Sequence, residues 1–235
     1  MIDYIKGHTL LINKPLRWTS FDVVKKIRNT LRSGLQLKNI KVGHAGTLDP
    51  LADGLLIVCT GKFTKLINEF QAQEKEYTAE FTLGATTPSF DLETEINETF
   101  NYNHINEDML KTTTEKLTGN ILQTPPIYSA IKRDGKRLYE YARKGEDVKI
   151  KERIVHVSKF EIIKVEMPKV YVRIVCGKGT YIRSLAQTFG KNLNSGAYLS
   201  QLTRTRIGKF ELSQAIDIQE FIDSFSLTNN RTAEL

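Results

Sequence analysis

Residues 43–54 read GHAGTLDPLADG, the most unusual stretch of this 235-residue chain. Three glycines within twelve residues allow a tight turn and let another molecule approach the backbone closely. The proline after Asp49 keeps that aspartate out of the helical region, so a stiff backbone holds its carboxylate. A carboxylate held in this way suits a nucleophile or a general base. Taken alone, the same pattern also fits a structural Asx turn or a helix cap.

The same stretch is a poor candidate for a metal site. His44, Asp49 and Asp53 could act as ligands, but oxygen-rich metal loops of this size usually carry more carboxylates. The two cysteines, Cys59 and Cys176, lie far apart in the sequence, and no CxxC pair occurs. A zinc ribbon and a disulfide framework are therefore excluded, and we expect no bound metal.

Composition indicates a folded protein of the cytoplasm. With 40% hydrophobic residues the chain can build a core of its own. Its longest unbroken apolar stretch, residues 55–59, is far shorter than the roughly 20 residues of a membrane-spanning helix, and the N-terminus has no signal pattern. We therefore expect a cytoplasmic protein that does not bind a membrane.

Positive charge is concentrated in two blocks. Residues 1–50 carry nine basic and three acidic side chains, residues 151–200 carry the same numbers, and residues 51–100 carry three basic and nine acidic ones. The whole chain has a net charge of +7. Such blocks are compatible with a polyanionic partner, and they equally fit an ordinary solvated surface.

Hydrophobic periodicity predicts alternating short strands and helices around one mostly antiparallel or mixed sheet, an α+β domain. Ser20 and Thr180 are the predicted N-caps of two helices, and Ser213 the predicted start of the last. The predicted strands cover residues 9–13, 55–59, 77–83, 154–175 (a pair broken near residues 167–168) and 199–210. The predicted helices cover residues 20–31, 63–70, 106–117 and 136–144. The polar, acidic residues 85–104 indicate a long loop.

Two further segments carry side chains of chemical interest. A glycine-rich approach over residues 177–179 leads into the helix that Thr180 is expected to cap, which predicts an anion-binding helix start with Arg183 in its first turn. Lys75, Glu76 and Tyr77 begin an alternating strand. Each segment has a structural alternative, a surface arginine lying over a strand and a core tyrosine.

In the order of its motifs and in their residues, the sequence resembles the TruB family of tRNA pseudouridine synthases over nearly the whole chain. The matching segments are residues 12–15 with 19–20, 43–52 with Gly54, Lys75 and Tyr77 with 83–84, 125–132 with Gly135, 138–140 and 142–143, 179–183, and Leu202 with 204–205, Gly208 and Phe210. Six ordered motifs favour a functional interpretation of Asp49, Tyr77 and Arg183. The sequence departs from the family at Arg17, Asp53, residues 187–189 and Thr203, which concerns local RNA contacts rather than the reaction.

The resemblance implies the pseudouridine synthase catalytic fold, a central mixed, mostly antiparallel sheet flanked by helices, as a single domain over residues 1–235. Residues 85–150 would form a loop and helix insertion within this domain. About 25 residues follow Phe210. The C-terminal RNA-binding domain of longer relatives is therefore expected to be absent or vestigial.

The implied activity is isomerisation of uridine 55 in the T loop of tRNA to pseudouridine, without a cofactor. Asp49 is the expected essential carboxylate, and Tyr77 and Arg183 complete the expected catalytic set. Whether Asp49 adds to the uracil ring or removes a ribose proton to give a glycal stays open. The implied substrate-binding residues are His44, which fills the gap left by a flipped base, Leu202, which walls the pocket, and Gly46, Thr47, Lys14, Lys132 and Arg143.

The implied partner is the T stem-loop of tRNA, met by the two basic blocks, with no required protein partner and a monomeric enzyme. Two alternatives belong to other classes. One is a tRNA-binding folding factor in which modification is secondary. The other is a glycosidase-like hydrolase using Asp49 and Asp53 as an acid/base pair, but nothing in their spacing makes them face each other across a sugar.

Overall fold

The computed structural model describes residues 2–129, 131–133, 135–142, 144, 146, 148 and 150–233. The chain divides into two compact units, which we call unit 1 (Met1–Tyr77 with Thr203–Leu235) and unit 2 (Thr78–Leu202). The prediction of a single domain stays a prediction. Among the described helices, none has the length and apolar character needed to cross a membrane.

The elements follow the expected alternation of strands and helices. The helices are α1 (Ser20–Gly34), α2 (Ile67–Ala72), α3 (Glu107–Lys116), α4 (Leu138–Ala142), α5 (Ile182–Asn192) and α6 (Ile218–Ala233). The strands are β1 (Thr9–Lys14), β2 (Val42–His44), β3 (Asp53–Thr60), β4 (Lys75–Leu83), β5 (Ala85–Thr86), β6 (Glu98–Thr99), β7 (Gly119–Gln123), β8 (Lys132–Arg133), β9 (Lys136–Arg137), β10 (Arg153–Glu166), β11 (Lys169–Cys176), β12 (Ala197–Ile207) and β13 (Phe210–Glu211). The predicted α+β class, with a mixed sheet and flanking helices, is confirmed.

In unit 1 the strand order is β1-β3-β12-β4, with β2 paired to β3 and β13 paired to β12. β1 and β3 are antiparallel, whereas β12 runs parallel to β3 and places Arg204 opposite Gly54. Every residue from Gly54 to Thr60 is buried, as the unbroken apolar run predicted. A hydrophobic cluster joins β1 and β3 to α1 and α6 and forms the core of this unit.

Helix α1 begins at Ser20 as predicted, but its N-cap is Thr19 rather than Ser20. Thr19 and Asp22 form a reciprocal capping box, which satisfies two backbone N–H groups of the first turn. Ser20 is buried and its hydroxyl bonds to Leu48 instead. Either hydroxyl could cap the helix in principle. Thr19 does so, because the Ser20 hydroxyl is already bonded to Leu48.

The end of the chain also differs from prediction. Strand β12 ends at Ile207 because Gly208 takes a positive φ of 53° and turns the chain into the short strand β13. Leu212–Gln214 form a 3₁₀ turn, so the last helix begins at Ile218 and not at Ser213.

In unit 2 the strand order is β12-β4-β11-β10-β7. Strands β10 and β11 form the predicted antiparallel pair, which breaks at residues 167–168. Phe81 of β4, Phe160 of β10 and Phe189 of α5 pack together with ring centroids 5.7–6.0 Å apart. This aromatic group holds α5, and therefore its first turn, against the strands.

Helix α5 does not have the predicted threonine cap. Its N-cap is Tyr181, whose side chain makes no capping bond, and the Thr180 hydroxyl donates to Gly177 O at 3.1 Å. Residues 85–104, predicted to be a loop, contain the small β5-β6 pair and the buried side chains of Thr87, Ser89 and Asp91.

Candidate active site

Residues 45–52 form a loop between β2 and β3 of unit 1, with Asp49 near its middle. Gly54, at the end of this loop, takes a φ of 101°, and a Cβ placed there would lie 2.5 Å from Arg204 O. Only glycine fits at this position, because both the positive φ and the close approach of Arg204 exclude a side chain. The close contact between Gly54 and the backbone of Arg204 therefore fixes the point at which the loop enters β3.

Backbone bonds fix the residues on both sides of Asp49. The Ser20 hydroxyl donates to Leu48 O at 3.0 Å and accepts from Leu48 N at 2.8 Å. Arg17 N donates to Pro50 O at 2.7 Å, and Ala52 N donates to Asp49 O at 3.1 Å. Asp49 thus lies between two residues, Leu48 and Pro50, that are hydrogen-bonded to Ser20 and to Arg17.

Arg204 supports the same loop from β12. Only 1% of this residue is exposed, and its Nε donates to Leu55 O at 2.7 Å while Nη2 donates to Gly46 O at 3.3 Å. The guanidinium therefore holds the chain before and after Asp49. Sequence reasoning assigned Arg204 no role, although its place in a matched motif was a usable signal.

Lys14 was expected on an exposed RNA-contacting surface, but it is fully buried. Its ammonium donates to Pro15 O at 2.9 Å and to Trp18 O at 2.6 Å. Burial lowers the pKa of Lys14 to about 8, although the nearby charges of Asp53 and Asp49 act in the opposite direction. Lys14 therefore supports the turn between β1 and α1, which corrects the expected surface position.

His44 ends β2 and begins the loop. Burial lowers the pKa of His44, so its imidazole is neutral at pH 7. A hydrogen bond to the backbone of Gly46 acts on the pKa in the opposite direction. Gly46 takes a φ of 99°, and Thr47 is exposed. Tyr77, in β4 of the same unit, is 9% exposed.

Arg183 lies in the first turn of α5 in unit 2 and is 3% exposed, which excludes the surface-arginine alternative. Its Nε is 3.5 Å from Asp91 Oδ2, and its Nη1 and Nη2 donate to Ser89 O at 3.3 Å and to Tyr128 O at 2.9 Å. Asp91 was missed by sequence reasoning, because nothing distinguishes it among the acidic residues of its segment. Leu202, in the same unit, is 8% exposed.

The structure thus groups the predicted residues by unit. Unit 1 contains Gly46, Thr47 and Asp49 on one loop, His44 at the end of the strand before it, Lys14 at the end of β1 and Tyr77 in β4. Unit 2 contains Arg183 and Leu202. Lys132 belongs to β8, and Arg143 lies outside the described residues. Within the described part of the chain, no group of three or more His, Cys, Asp or Glu side chains is arranged to hold a metal ion.

Comparison with known proteins identifies the family of this chain. Residues 32–182 match the model of the TruB family pseudouridylate synthase N-terminal domain. The chain is 54% identical to a tRNA pseudouridine synthase B from Flavobacterium johnsoniae, over 94% of this chain and 97% of the relative. It is 50% identical to a protein of the same name from Phocaeicola vulgatus, over 94% of each chain.

Two solved structures have a similar fold. One is described as the crystal structure of a Cbf5-Nop10-Gar1 complex, with 29% identity, a TM-score of 0.70, and coverage of 94% of this chain and 54% of that chain. The other is an H/ACA RNP bound to a substrate RNA containing 2'-deoxyuridine, with 26% identity, a TM-score of 0.70, and coverage of 97% and 56%. This chain therefore spans about half the length of those two. From the family match and the identity to its relatives, the chain belongs to the TruB family of pseudouridine synthases.

Proposed function

We propose that this protein isomerises uridine 55 in the T loop of tRNA to pseudouridine. In this reaction the N1–C1' glycosidic bond breaks and the same ribose carbon bonds to C5 of the uracil. The C5 proton goes to solvent and N1 takes up a proton, so the product is an isomer of uridine. No electrons are gained or lost overall, so the proposal needs no redox partner. The choice of tRNA rests on relatives named tRNA pseudouridine synthase B at 54% and 50% identity.

The observation that carries the proposal is that hydrogen bonds fix the backbone on both sides of Asp49. Its neighbours are bonded to Ser20 and Arg17, and Arg204 donates hydrogen bonds to Gly46 O and Leu55 O on either side of it. Addition to the uracil ring and removal of a ribose proton both need an ionised carboxylate at a fixed place. A loop held in this way limits the motion of Asp49 relative to a bound nucleotide. We assign Asp49 as the essential catalytic carboxylate.

We assign Arg183 and Tyr77 as its catalytic partners. A guanidinium can bind a carboxylate through two parallel hydrogen bonds and favours its ionised form. Arg183 is suited to such a role because hydrogen bonds to Ser89 O and Tyr128 O and an ion pair with Asp91 fix its position within unit 2. Tyr77 offers a flat face for uracil and a phenol that can exchange the C5 proton.

A uridine inside a structured loop must leave its stack before an enzyme reaches it, at a cost of about a few kcal/mol. We propose that His44 fills the space that the flipped base leaves, since a neutral ring at the edge of the loop can stack without carrying a charge. Leu202 would wall the base pocket, and Gly46, Thr47, Lys132 and Arg143 would contact the RNA. Lys14 would act indirectly, by supporting the turn before α1 from which Arg17 N donates to Pro50 O of the loop.

The test uses an isolated T stem-loop RNA labelled with tritium at C5 of its uridines. We expect the protein to release tritium from this hairpin, because the residues assigned above recognise a loop rather than a whole tRNA. A hairpin with cytidine at position 55 is the matched control and should release only background tritium. Equal release from both hairpins, or release from neither, would contradict the proposal.

A further inference from the structure

The segment 124–152 of unit 2 is bordered by Gln123, the last residue of β7, and Arg153, the first residue of β10. Both side chains contact residues 179–181, which lead directly into α5. The chain before Arg183 is therefore held by the two ends of a single long segment.

Gln123 bonds to Tyr181 in both directions. The Tyr181 N–H donates to Gln123 Oε1 at 2.8 Å, and Gln123 Nε2 donates to Tyr181 O at 3.1 Å. Gln123 is 4% exposed, so water does not compete for these bonds. Because Tyr181 is the N-cap of α5 and makes no side-chain capping bond, Gln123 takes over the fixing of the helix start.

Arg153 holds the same point from the other border. Its guanidinium carbon lies 5.1 Å from the centroid of the Tyr181 ring, and its Nη2 donates to Gly179 O. Gly179 takes a φ of 87°, so the residue whose carbonyl oxygen accepts the bond from Arg153 also has a left-handed backbone conformation. The planar guanidinium combines a stacking contact with a hydrogen bond, which a lysine cannot reproduce.

A third contact extends the connection into α5 itself. The Ser184 hydroxyl donates to Thr124 O at 2.8 Å, and Arg183 Nη2 donates to Tyr128 O at 2.9 Å. Residues 123–128 thus contact the chain just before Arg183, Arg183 itself and the residue after it. A displacement of either border of the segment 124–152 would rotate the first turn of α5 and redirect the guanidinium.

We propose that Gln123 and Arg153 are positioning residues for Arg183, which set the direction of its guanidinium without touching the substrate. The inference rests on the proposed function, because it takes Arg183 to act in the reaction. It assigns to the borders of the segment 124–152 an effect on the rate of the chemical step in addition to any effect on RNA binding.

The test measures the single-turnover rate at saturating tRNA, and the tRNA affinity, for Gln123→Met and Arg153→Lys. Methionine keeps the size of glutamine and removes both bonds to Tyr181, and lysine keeps the positive charge of Arg153 and removes its planar group. We expect each variant to lower the rate about tenfold or more and to leave the affinity within about twofold of wild type. A weakened affinity with a normal rate would overturn the proposal.

Thr82→Val is the matched control. It removes a side-chain hydrogen bond elsewhere in unit 2, from Thr82 Oγ1 to Ser200 Oγ at 2.8 Å. We expect this variant to keep a normal rate, even where its melting temperature falls as much as that of Gln123→Met. A matching loss of rate in the control would show that general destabilisation explains the effect, and would overturn the proposal.

Each substitution is then repeated in an Arg183→Lys background. If Gln123 and Arg153 act through Arg183, the second substitution lowers the residual rate no further. The same loss in both backgrounds would indicate a merely structural role and overturn the proposal. Where Gln123→Met does not fold, Arg153→Lys decides the question, because the Arg153 side chain is only half-buried.

The outcomes separate the two levels of inference. A wild-type rate for Arg183→Lys would remove Arg183 from the proposed mechanism and overturn the positioning role with it. An impaired Arg183→Lys beside fully active Gln123→Met and Arg153→Lys would overturn the positioning role alone and leave the proposed function standing.

Discussion

Nε of Arg183 lies 3.5 Å from Oδ2 of Asp91, and only 4% and 6% of the two side chains are exposed. Two charges buried this deeply are favourable only when hydrogen bonds surround them, and Ser89 O and Tyr128 O provide two of these for the arginine. The pair joins the loop between β5 and β6 to the start of α5, within unit 2.

For Asp91→Ala we expect a loss of about 3 kcal/mol in the free energy of unfolding, because a buried counter-charge is removed from Arg183. Urea unfolding followed by circular dichroism measures this loss. Asp91→Asn, which keeps the shape and removes the charge, should lose less. If Asp91→Ala is as stable as wild type, the pair does not stabilise unit 2.

For Asp49→Asn we expect normal folding, tRNA binding close to wild type, and no turnover, since the change removes only the charge that the chemistry uses. Tritium release from C5-labelled tRNA measures turnover, and a filter-binding assay measures affinity. Asp108→Asn, the same change at an exposed position of α3, should stay fully active. Turnover of Asp49→Asn within about tenfold of wild type contradicts its assignment as the nucleophile or base.

For Gly54→Ala we expect a loss of at least about 2 kcal/mol in the free energy of unfolding, together with loss of turnover. The new Cβ would meet backbone atoms of Arg204, with O at 2.5 Å and N at 2.8 Å, and the φ of 101° adds strain. Gly119→Ala is the matched control, because Gly119 has a φ of 91° and a Cβ added there would meet nothing within 4 Å among the described residues. Equal losses in the two variants would mean that conformation alone, and not the close approach to β12, requires Gly54.

For Lys14→Met we expect a change in how stability depends on pH. Burial lowers the pKa of Lys14 to about 8, whereas the unfolded chain keeps the ordinary value of 10.5. Between these values the unfolded state binds the extra proton, so Lys14 makes wild-type stability rise with pH. The free energy of unfolding of wild type minus that of Lys14→Met should grow by up to about 3 kcal/mol from pH 8 to 10.5. A constant difference across this window contradicts the lowered pKa.

Local patterns in the sequence predicted the elements whose structure depends on near neighbours. The unbroken apolar run 55–59 became a buried strand, and alternation along residues 77–83 became β4. The predicted N-caps were wrong at Ser20 and Thr180, because a hydroxyl there bonds to Leu48 or to Gly177 instead of to the helix start.

The loop around Asp49 was recognisable from its glycines and proline, but the residues that hold it were not. Arg204 bonds to Leu55, 149 positions away, and no local pattern predicts such a pair. Asp91 is one acidic residue among several until the fold brings it to Arg183. Lys14 looked like a surface cation, because burial of a lysine depends on backbone carbonyls that periodicity does not reveal.

During synthesis, Arg204 leaves the ribosome 149 residues after Leu55, whose carbonyl it will hold. At about 5–20 residues per second this interval lasts roughly 7–30 s. Unit 2 is one continuous stretch, and all of its residues are synthesised before Arg204. Unit 1 also contains residues 203–235, so it is completed later. A nascent chain that stops before Arg204 therefore contains all of unit 2 but lacks the residue that holds the Asp49 loop, so we expect activity to appear only after Arg204 has been synthesised.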